Sequence, residues 1–168
     1  CGGGTAIERS ESGTENLICL NENCEGKLIN KLDHYCGKKG MDIKGLSKAT
    51  LEKLVEWGWI GSIIDIYRLS SVYDLWTCKW GFGEKSVTNI LNSIENAKKC
   101  ELHSFIAALG IPFIGQQVAK DLCQYVYDYA DFRERVYDGW NFSSIPSFGQ
   151  VKMKSILEFD YTQADEIA

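Results

Sequence analysis

A glycine-containing turn that recurs four times between apolar stretches is the feature that most constrains this chain. The last residues of the turns are Ser47, Gly83, Gly115 and Gly149, so the intervals are 36, 32 and 34 residues. A near-constant interval of this size indicates one supersecondary unit used four times. Because apolar residues recur at helical spacing after each turn, the sequence predicts an all-α body of tandem helix–turn–helix units.

Only the second turn, Trp80-Gly81-Phe82-Gly83, has both glycines of a Gly-apolar-Gly pattern. The first turn has Ser47 in the second glycine position, and the third and fourth have Phe113 and Ser147 in the first. Backbone N–H groups at a helix start bind phosphate oxygens, and glycine lets the backbone approach a phosphate closely. The pattern therefore favours a nucleic-acid backbone as partner, with turns that serve packing only as the alternative.

The net charge of −5 argues against a uniformly basic DNA-binding surface. Residues 27–60, however, contain seven lysines against four acidic residues, whereas residues 101–168 contain five basic and ten acidic residues. The basic excess lies around the first two turns. The lysines that flank these turns are expected to contact phosphates or, alternatively, to be solvated; they are Lys44, Lys48, Lys79 and Lys85. The candidate DNA-binding residues are Lys44, Gly45, Ser47, Lys79, Gly81, Gly83, Lys85, Gly115 and Gly149.

Residues 1–26 are rich in Gly, Glu, Ser, Thr and Asn, and they are expected to form a unit separate from residues 27–168. So few aliphatic residues cannot bury a core, which makes a metal ion the expected source of order. Cys19 and Cys24 form a two-thiol knuckle, and Cys1, followed by a glycine, resembles the end of a second knuckle. Because a structural zinc site needs four ligands, we expect these three cysteines to bind zinc with a fourth ligand upstream of residue 1.

Two other interpretations of the cysteines stay open. His34 or Cys36 would be an alternative fourth ligand, although both fall in a stretch with helical periodicity; alternatively, the three thiols are free. The seven cysteines are odd in number, and the first residues contain no signal-like apolar core, so we expect a reducing, cytoplasmic compartment. No apolar run is long enough to span a membrane, and no pair of strands is predicted. The first residues contain no start methionine, so we expect a piece of a longer chain.

Taken together, these segments resemble the C-terminal part of the NAD-dependent DNA ligases over nearly the whole chain. Besides the cysteines, the similarity is carried by Gly40-Met41-Asp42-Ile43-Lys44-Gly45-Leu46, Ile66-Tyr67-Arg68-Leu69, Phe82-Gly83-Glu84-Lys85-Ser86, Ala108-Leu109-Gly110-Ile111 and Ile145-Pro146-Ser147-Phe148-Gly149. The resemblance implies a four-Cys zinc finger and four helix–hairpin–helix units that bind nicked duplex DNA along the minor groove. It also implies a role in DNA replication and repair in a bacterial, phage or viral protein.

The same resemblance implies that the chemistry lies outside this sequence. The family's nucleophile is the lysine of Lys-x-Asp-Gly, which takes AMP from NAD; Lys31-Leu32-Asp33-His34 lacks the glycine and falls in a predicted helix. We therefore expect no catalytic residue here, with NAD and magnesium used by catalytic domains elsewhere in the parent chain. Two competing functions are a helix–hairpin–helix module of another repair or recombination protein, and a protein-interaction domain.

Overall fold

A computed structural model describes residues 1–9 and 13–168 and is mostly helical, which confirms the predicted fold class. Two 3₁₀ turns, Leu69–Val72 and Phe142–Ser144, lie between helices. In chain order, the strands and helices are β1 (Thr5–Arg9), β2 (Glu15–Cys19), α1 (Glu25–Cys36), α2 (Lys48–Glu56), α3 (Ile63–Ile66), α4 (Tyr73–Thr77), α5 (Glu84–Ala97), α6 (Leu102–Ala108), α7 (Gln116–Leu122), α8 (Tyr129–Tyr137), α9 (Gln150–Glu158) and α10 (Thr162–Ile167). Among the described residues, no helix combines the length and apolar character needed to cross a membrane.

The prediction that no strands pair is wrong for the N-terminal segment. Strands β1 and β2 form an antiparallel ribbon in which Thr5 pairs with Cys19 and Arg9 with Glu15. The central cross-strand pair, Ile7 and Leu17, is exposed to solvent. Because the ribbon buries neither face, its sequence has no apolar–polar alternation, which is the signal that predicts a strand. The two strands are joined by their backbone hydrogen bonds.

All four recurrent turns have a left-handed residue at the same position. The residue two places before each helix N-cap has a left-handed backbone: Gly45 (φ 90°), Gly81 (φ 86°), Phe113 (φ 66°) and Ser147 (φ 71°). In the last three turns the next amide donates to the carbonyl three residues earlier, at 3.0 Å, which together with the positive φ is typical of a type II turn. The sequence repeat is therefore a repeat of backbone geometry, even where glycine is absent.

Buried apolar residues on either side of the left-handed position anchor the turns in one continuous core. Those before it are Ile43, Ile111 and Ile145, and those after it are Leu46, Ile114 and Phe148. The turns also pack on helices of neighbouring units. The amide of Lys44 donates to Ser93 Oγ of α5 at 2.7 Å, and Ser147 Oγ lies 3.5 Å from Asp121 Oδ2 of α7. The first unit thus contacts the second, and the fourth contacts the third.

We expect Ser147→Gly to raise the free energy of unfolding by about 0.5–1 kcal/mol. A left-handed backbone is costly for a residue with a Cβ, so replacing serine by glycine relieves strain in the folded state. This gain in stability is partly offset by the greater freedom of glycine in the unfolded chain. Chemical denaturation measures the change. Gly149→Ala is the matched control, because Gly149 has an extended backbone with open space at its Cβ position. A loss of stability in Ser147→Gly would contradict the argument from strain.

Candidate metal and nucleic-acid sites

The three predicted cysteine ligands lie together. The Sγ atoms of Cys1, Cys19 and Cys24 are all within 4.8 Å of one another, and those of Cys1 and Cys19 are 3.5 Å apart. Two thiolates on one tetrahedral zinc, each 2.3 Å from it, would be about 3.8 Å apart. Cys1 precedes β1, Cys19 ends β2 and Cys24 is the N-cap of α1, so the ribbon and the helix bring the thiols together. This trio can hold a metal ion, and the described residues add no fourth Cys, His, Asp or Glu to it.

The environment of Cys24 favours its thiolate. A hydrogen bond from the Lys27 amide is the main cause that lowers the pKa of Cys24, with smaller contributions from the Cys19 thiol and the Gly26 amide. Burial acts in the opposite direction and is outweighed. The thiolate is the form of cysteine that binds metals, so the first turn of α1 favours the form of Cys24 that could hold one.

Neither alternative fourth ligand joins the trio. His34 Nε2 lies 3.1 Å from the carbonyl oxygen of Ala107 in α6, so this ring links two helices. Cys36 is buried in the core, and burial raises the pKa of its thiol to about 12. The near match Lys31-Leu32-Asp33-His34 lies inside α1, with Leu32 fully buried, as the helical periodicity predicts.

The second turn is surrounded by cations on aromatic faces. Lys79 Nζ lies 4.8 Å from the ring centroid of Trp57, and Lys53 Nζ lies 5.3 Å from that of Phe82. Lys85 is exposed in the first turn of α5, whose N-cap, Gly83, offers no capping side chain. The first amides of this helix have no intrahelical acceptor, and Gly83, Glu84 and Lys85 at its start are exposed. Sequence reasoning missed Lys53, because only tertiary packing of α2 brings it to the turn.

The groups of the first turn are already engaged within the protein. Lys44 Nζ is 2.6 Å from Asp42 Oδ1, and the Lys44 amide donates to a side chain of α5. Ser47 caps α2 by accepting a hydrogen bond from the Thr50 amide at 3.3 Å. Lys48 Nζ donates to Asn30 Oδ1 at 2.9 Å. This turn therefore offers fewer open donors than the second, although all its predicted residues lie at the surface.

Basic residues also lie beside the third and fourth turns. Gln116 Nε2, at the start of α7, donates to the carbonyl oxygen of Lys38 at 3.1 Å, which brings exposed Lys38 and Lys39 close to the third turn. Lys152 Nζ donates to the carbonyl oxygen of Ser147 at 2.7 Å in the fourth turn. Gly115 and Gly149 are exposed N-caps without a capping side chain. No local sequence signal connected Lys38 and Lys39 with a turn so far along the chain.

Comparison with known proteins decides the family. No protein-family model matches the chain. The DNA ligase of Lachnoclostridium phytofermentans, however, is 34% identical over 160 residues, or 95% of this chain. Those of Thermotoga neapolitana and Sulfurihydrogenibium sp. are 35% and 37% identical over 85% and 86% of it. This chain belongs to the DNA ligase family. It spans between 20% and 24% of the length of these curated DNA ligases.

The similarity to DNA ligases extends over all four turns. A match that covers 95% of the chain must span all four turns, from Lys44 to Gly149, because too few residues lie outside it. The repeated turn is thus part of the sequence that this chain shares with DNA ligases. The resemblance to DNA ligases expected from the sequence motifs is confirmed, and the coarse function, a domain of a DNA ligase, follows from it.

Proposed function

We propose that residues 27–168 bind duplex DNA within an NAD-dependent ligase that seals nicks. The observation that carries this proposal is the fourfold repeat of a left-handed turn followed by a helix start, in a chain homologous to DNA ligases. In this proposal each turn presents backbone amides to a DNA phosphate, and the helix dipole adds to the attraction. Such contacts position a duplex without reading its sequence, as an enzyme that acts on any nick requires.

The second turn is the main phosphate contact in this proposal. Gly81 and Gly83 let its backbone approach the DNA, and Lys79 and Lys85 supply positive charge, to which Lys53 adds. The open amides at the start of α5 and the three lysines support this assignment. The other proposed contacts are weaker: Lys44, Gly45 and Ser47 in the first turn, Gly115 in the third and Gly149 in the fourth.

Zinc is the proposed metal of the cysteine site. Three thiols at the spacing of a tetrahedral site and the lowered pKa of Cys24 support it, because zinc favours thiolate ligands. Cys1, Cys19 and Cys24 would supply three ligands, and the fourth would come from upstream of residue 1. Bound zinc would tie the ribbon to α1 and so fix residues 1–26 against the DNA-binding body.

The catalytic steps are assigned to other domains of the parent chain. The described residues contain no Lys-x-Asp-Gly loop, and Lys31 lies inside α1. In the proposed arrangement NAD and magnesium act in those domains, and residues 1–168 contribute no catalytic group. Their contribution is to hold the duplex while the nick is sealed. In this proposal the parent chain is a cytoplasmic protein that serves DNA replication and repair.

We expect the 168-residue chain to bind a nicked duplex with an affinity that falls steeply with salt. Four lysine–phosphate contacts, by Lys44, Lys53, Lys79 and Lys85, would give a slope of log K against log salt of about −3.6, because each phosphate neutralised by a lysine releases close to one counterion. Fluorescence anisotropy with a labelled nicked duplex between 50 and 200 mM salt measures the slope. An intact duplex and a single strand of the same sequence are the controls. Absence of salt-dependent binding would instead favour a protein-interaction domain.

We expect zinc to protect three of the seven thiols from alkylation. Cys1, Cys19 and Cys24 should be shielded when zinc is added, whereas Cys78, an exposed thiol outside the site, should react equally with and without it. Mass spectrometry of the alkylated peptides reads each position. In Cys24→Ser, protection of Cys1 and Cys19 should be lost, while Cys78→Ser should change nothing. Equal reactivity of Cys1, Cys19 and Cys24 with and without zinc would count against the metal site.

A further inference from the structure

Two large aromatic side chains project from the second and third turns into solvent. Trp80, one place before the left-handed residue Gly81, is 93% exposed, and Phe113, itself the left-handed residue, is 66% exposed. The apolar residues that follow, Phe82 and Ile114, instead pack in or against the core. The fold thus uses the apolar residue after the left-handed position for stability, whereas Trp80 and Phe113 are not part of the hydrophobic core formed by the described residues.

Phe113 has a strained backbone conformation. Its φ of 66° is a conformation that glycine adopts freely and that a residue with a Cβ adopts at a cost. Glycine occupies the equivalent positions in the first two turns, so the turn itself does not need an aromatic ring there. An exposed, strained and apolar side chain in a binding turn indicates a function outside the folded chain.

The lysines near Trp80 and Phe113 suit the binding of a polyanion, and the two rings suit one whose interior is apolar. Lys79 precedes Trp80 in the sequence, Lys85 lies in the first turn of the helix that follows, and Lys53 Nζ lies near Gly81. Beside Phe113, the hydrogen bond from Gln116 to the Lys38 carbonyl brings in the exposed basic pair Lys38-Lys39. A duplex groove combines charged phosphate edges with deoxyribose and base surfaces that accept apolar side chains between them.

We propose that Trp80 and Phe113 are apolar contacts that enter the minor groove of duplex DNA and pack on deoxyribose and base edges. This inference rests on the proposed DNA-binding function and adds a second kind of contact to it. Lysines and turn amides bind the phosphates on the groove edges, and the two rings fill the space between them. The minor groove, about 6 Å wide, admits one aromatic ring edge-on.

The test measures binding of the 168-residue chain to a nicked duplex at several salt concentrations. The variants are Trp80→Ala, Phe113→Gly and their double. Tyr137→Ala is the control, because Tyr137 is 90% exposed but lies at the end of α8, outside the turns. We expect each single variant to weaken binding about fivefold to tenfold, and the double variant more. The slope of log K against log salt should stay unchanged, since no phosphate contact is removed. Phe113→Gly should melt at or above the wild-type temperature.

The outcomes separate this inference from the function on which it rests. Salt-dependent binding by the wild-type chain, with Trp80→Ala and Phe113→Gly binding equally well, would overturn the groove contact and leave the DNA-binding function standing. A weaker affinity accompanied by a shallower salt slope would also overturn it, because the rings would then act through phosphate contacts. No salt-dependent binding by the wild-type chain would remove both. Weaker binding with an unchanged slope and an unchanged Tyr137→Ala control supports the proposal.

Discussion

Trp76→Ala should lower the free energy of unfolding by about 3–5 kcal/mol, the usual cost of truncating a fully buried aromatic side chain. Trp76 is 0% exposed beneath the second turn, with its ring centroid 6.5 Å from that of Trp59 and 5.7 Å from that of Phe82. The cavity would remove the support of Phe82, the apolar residue of the turn. We therefore expect weaker DNA binding as well as a lower melting temperature.

Urea denaturation of the variant and wild-type chains measures this loss. Trp80→Ala is a matched control, because the same side chain is removed from a site that is 93% exposed, and its cost should stay within about 0.5 kcal/mol. Trp76→Phe should fall between the two, since it keeps a ring and removes an indole N–H that has no hydrogen-bond partner among the described residues. Equal stability of Trp76→Ala and Trp80→Ala would contradict the assigned core.

The turns could be predicted from the sequence because their signals are local. Glycine at positions 45 and 81, and an apolar residue after each left-handed position, repeat at intervals that align even the substituted turns. Phe113 and Ser147 were placed by this alignment alone, and the structure gives both the same left-handed backbone as Gly45 and Gly81. The cysteine trio was likewise predictable, because metal-binding thiols are recognisable by spacing.

What the sequence did not predict depends on contacts between distant segments. Lys53 reaches the second turn only because α2 packs beside it, and Lys38 meets the third turn through a hydrogen bond from Gln116. The β1–β2 ribbon was not predicted for a different reason. Its strands bury no face, so their sequences lack the apolar periodicity from which a strand is predicted. Charge counted along the chain therefore underestimated the basic surface near the third turn, which lies in an acidic stretch of sequence.

Replacing Lys79 and Lys85 together by glutamine should weaken binding to a nicked duplex about 100-fold at 0.1 M salt. Each lysine–phosphate contact contributes about −0.9 to the slope of log K against log salt. At 0.1 M salt one such contact therefore strengthens binding about tenfold relative to 1 M salt. The slope of log K against log salt should therefore become shallower by about two. Anisotropy titrations at several salt concentrations measure affinity and slope together, and circular dichroism checks that the helices remain.

The matched control removes the same charge from the other end of the same helix. Lys98 and Lys99 follow α5, about 21 Å along the helix axis from its N-terminus, and their replacement by glutamine changes the net charge equally. At 0.1 M salt the Debye length is about 10 Å, so the phosphates at the second turn should hardly sense this change. Equal losses in both double variants would mean that overall charge, and not the second turn, governs binding. A loss confined to Lys79 and Lys85 would instead place the phosphate contact at the turn itself, because Lys79 precedes Gly81 by two residues and Lys85 lies in the first turn of α5, whereas Lys98 and Lys99 follow the end of that helix.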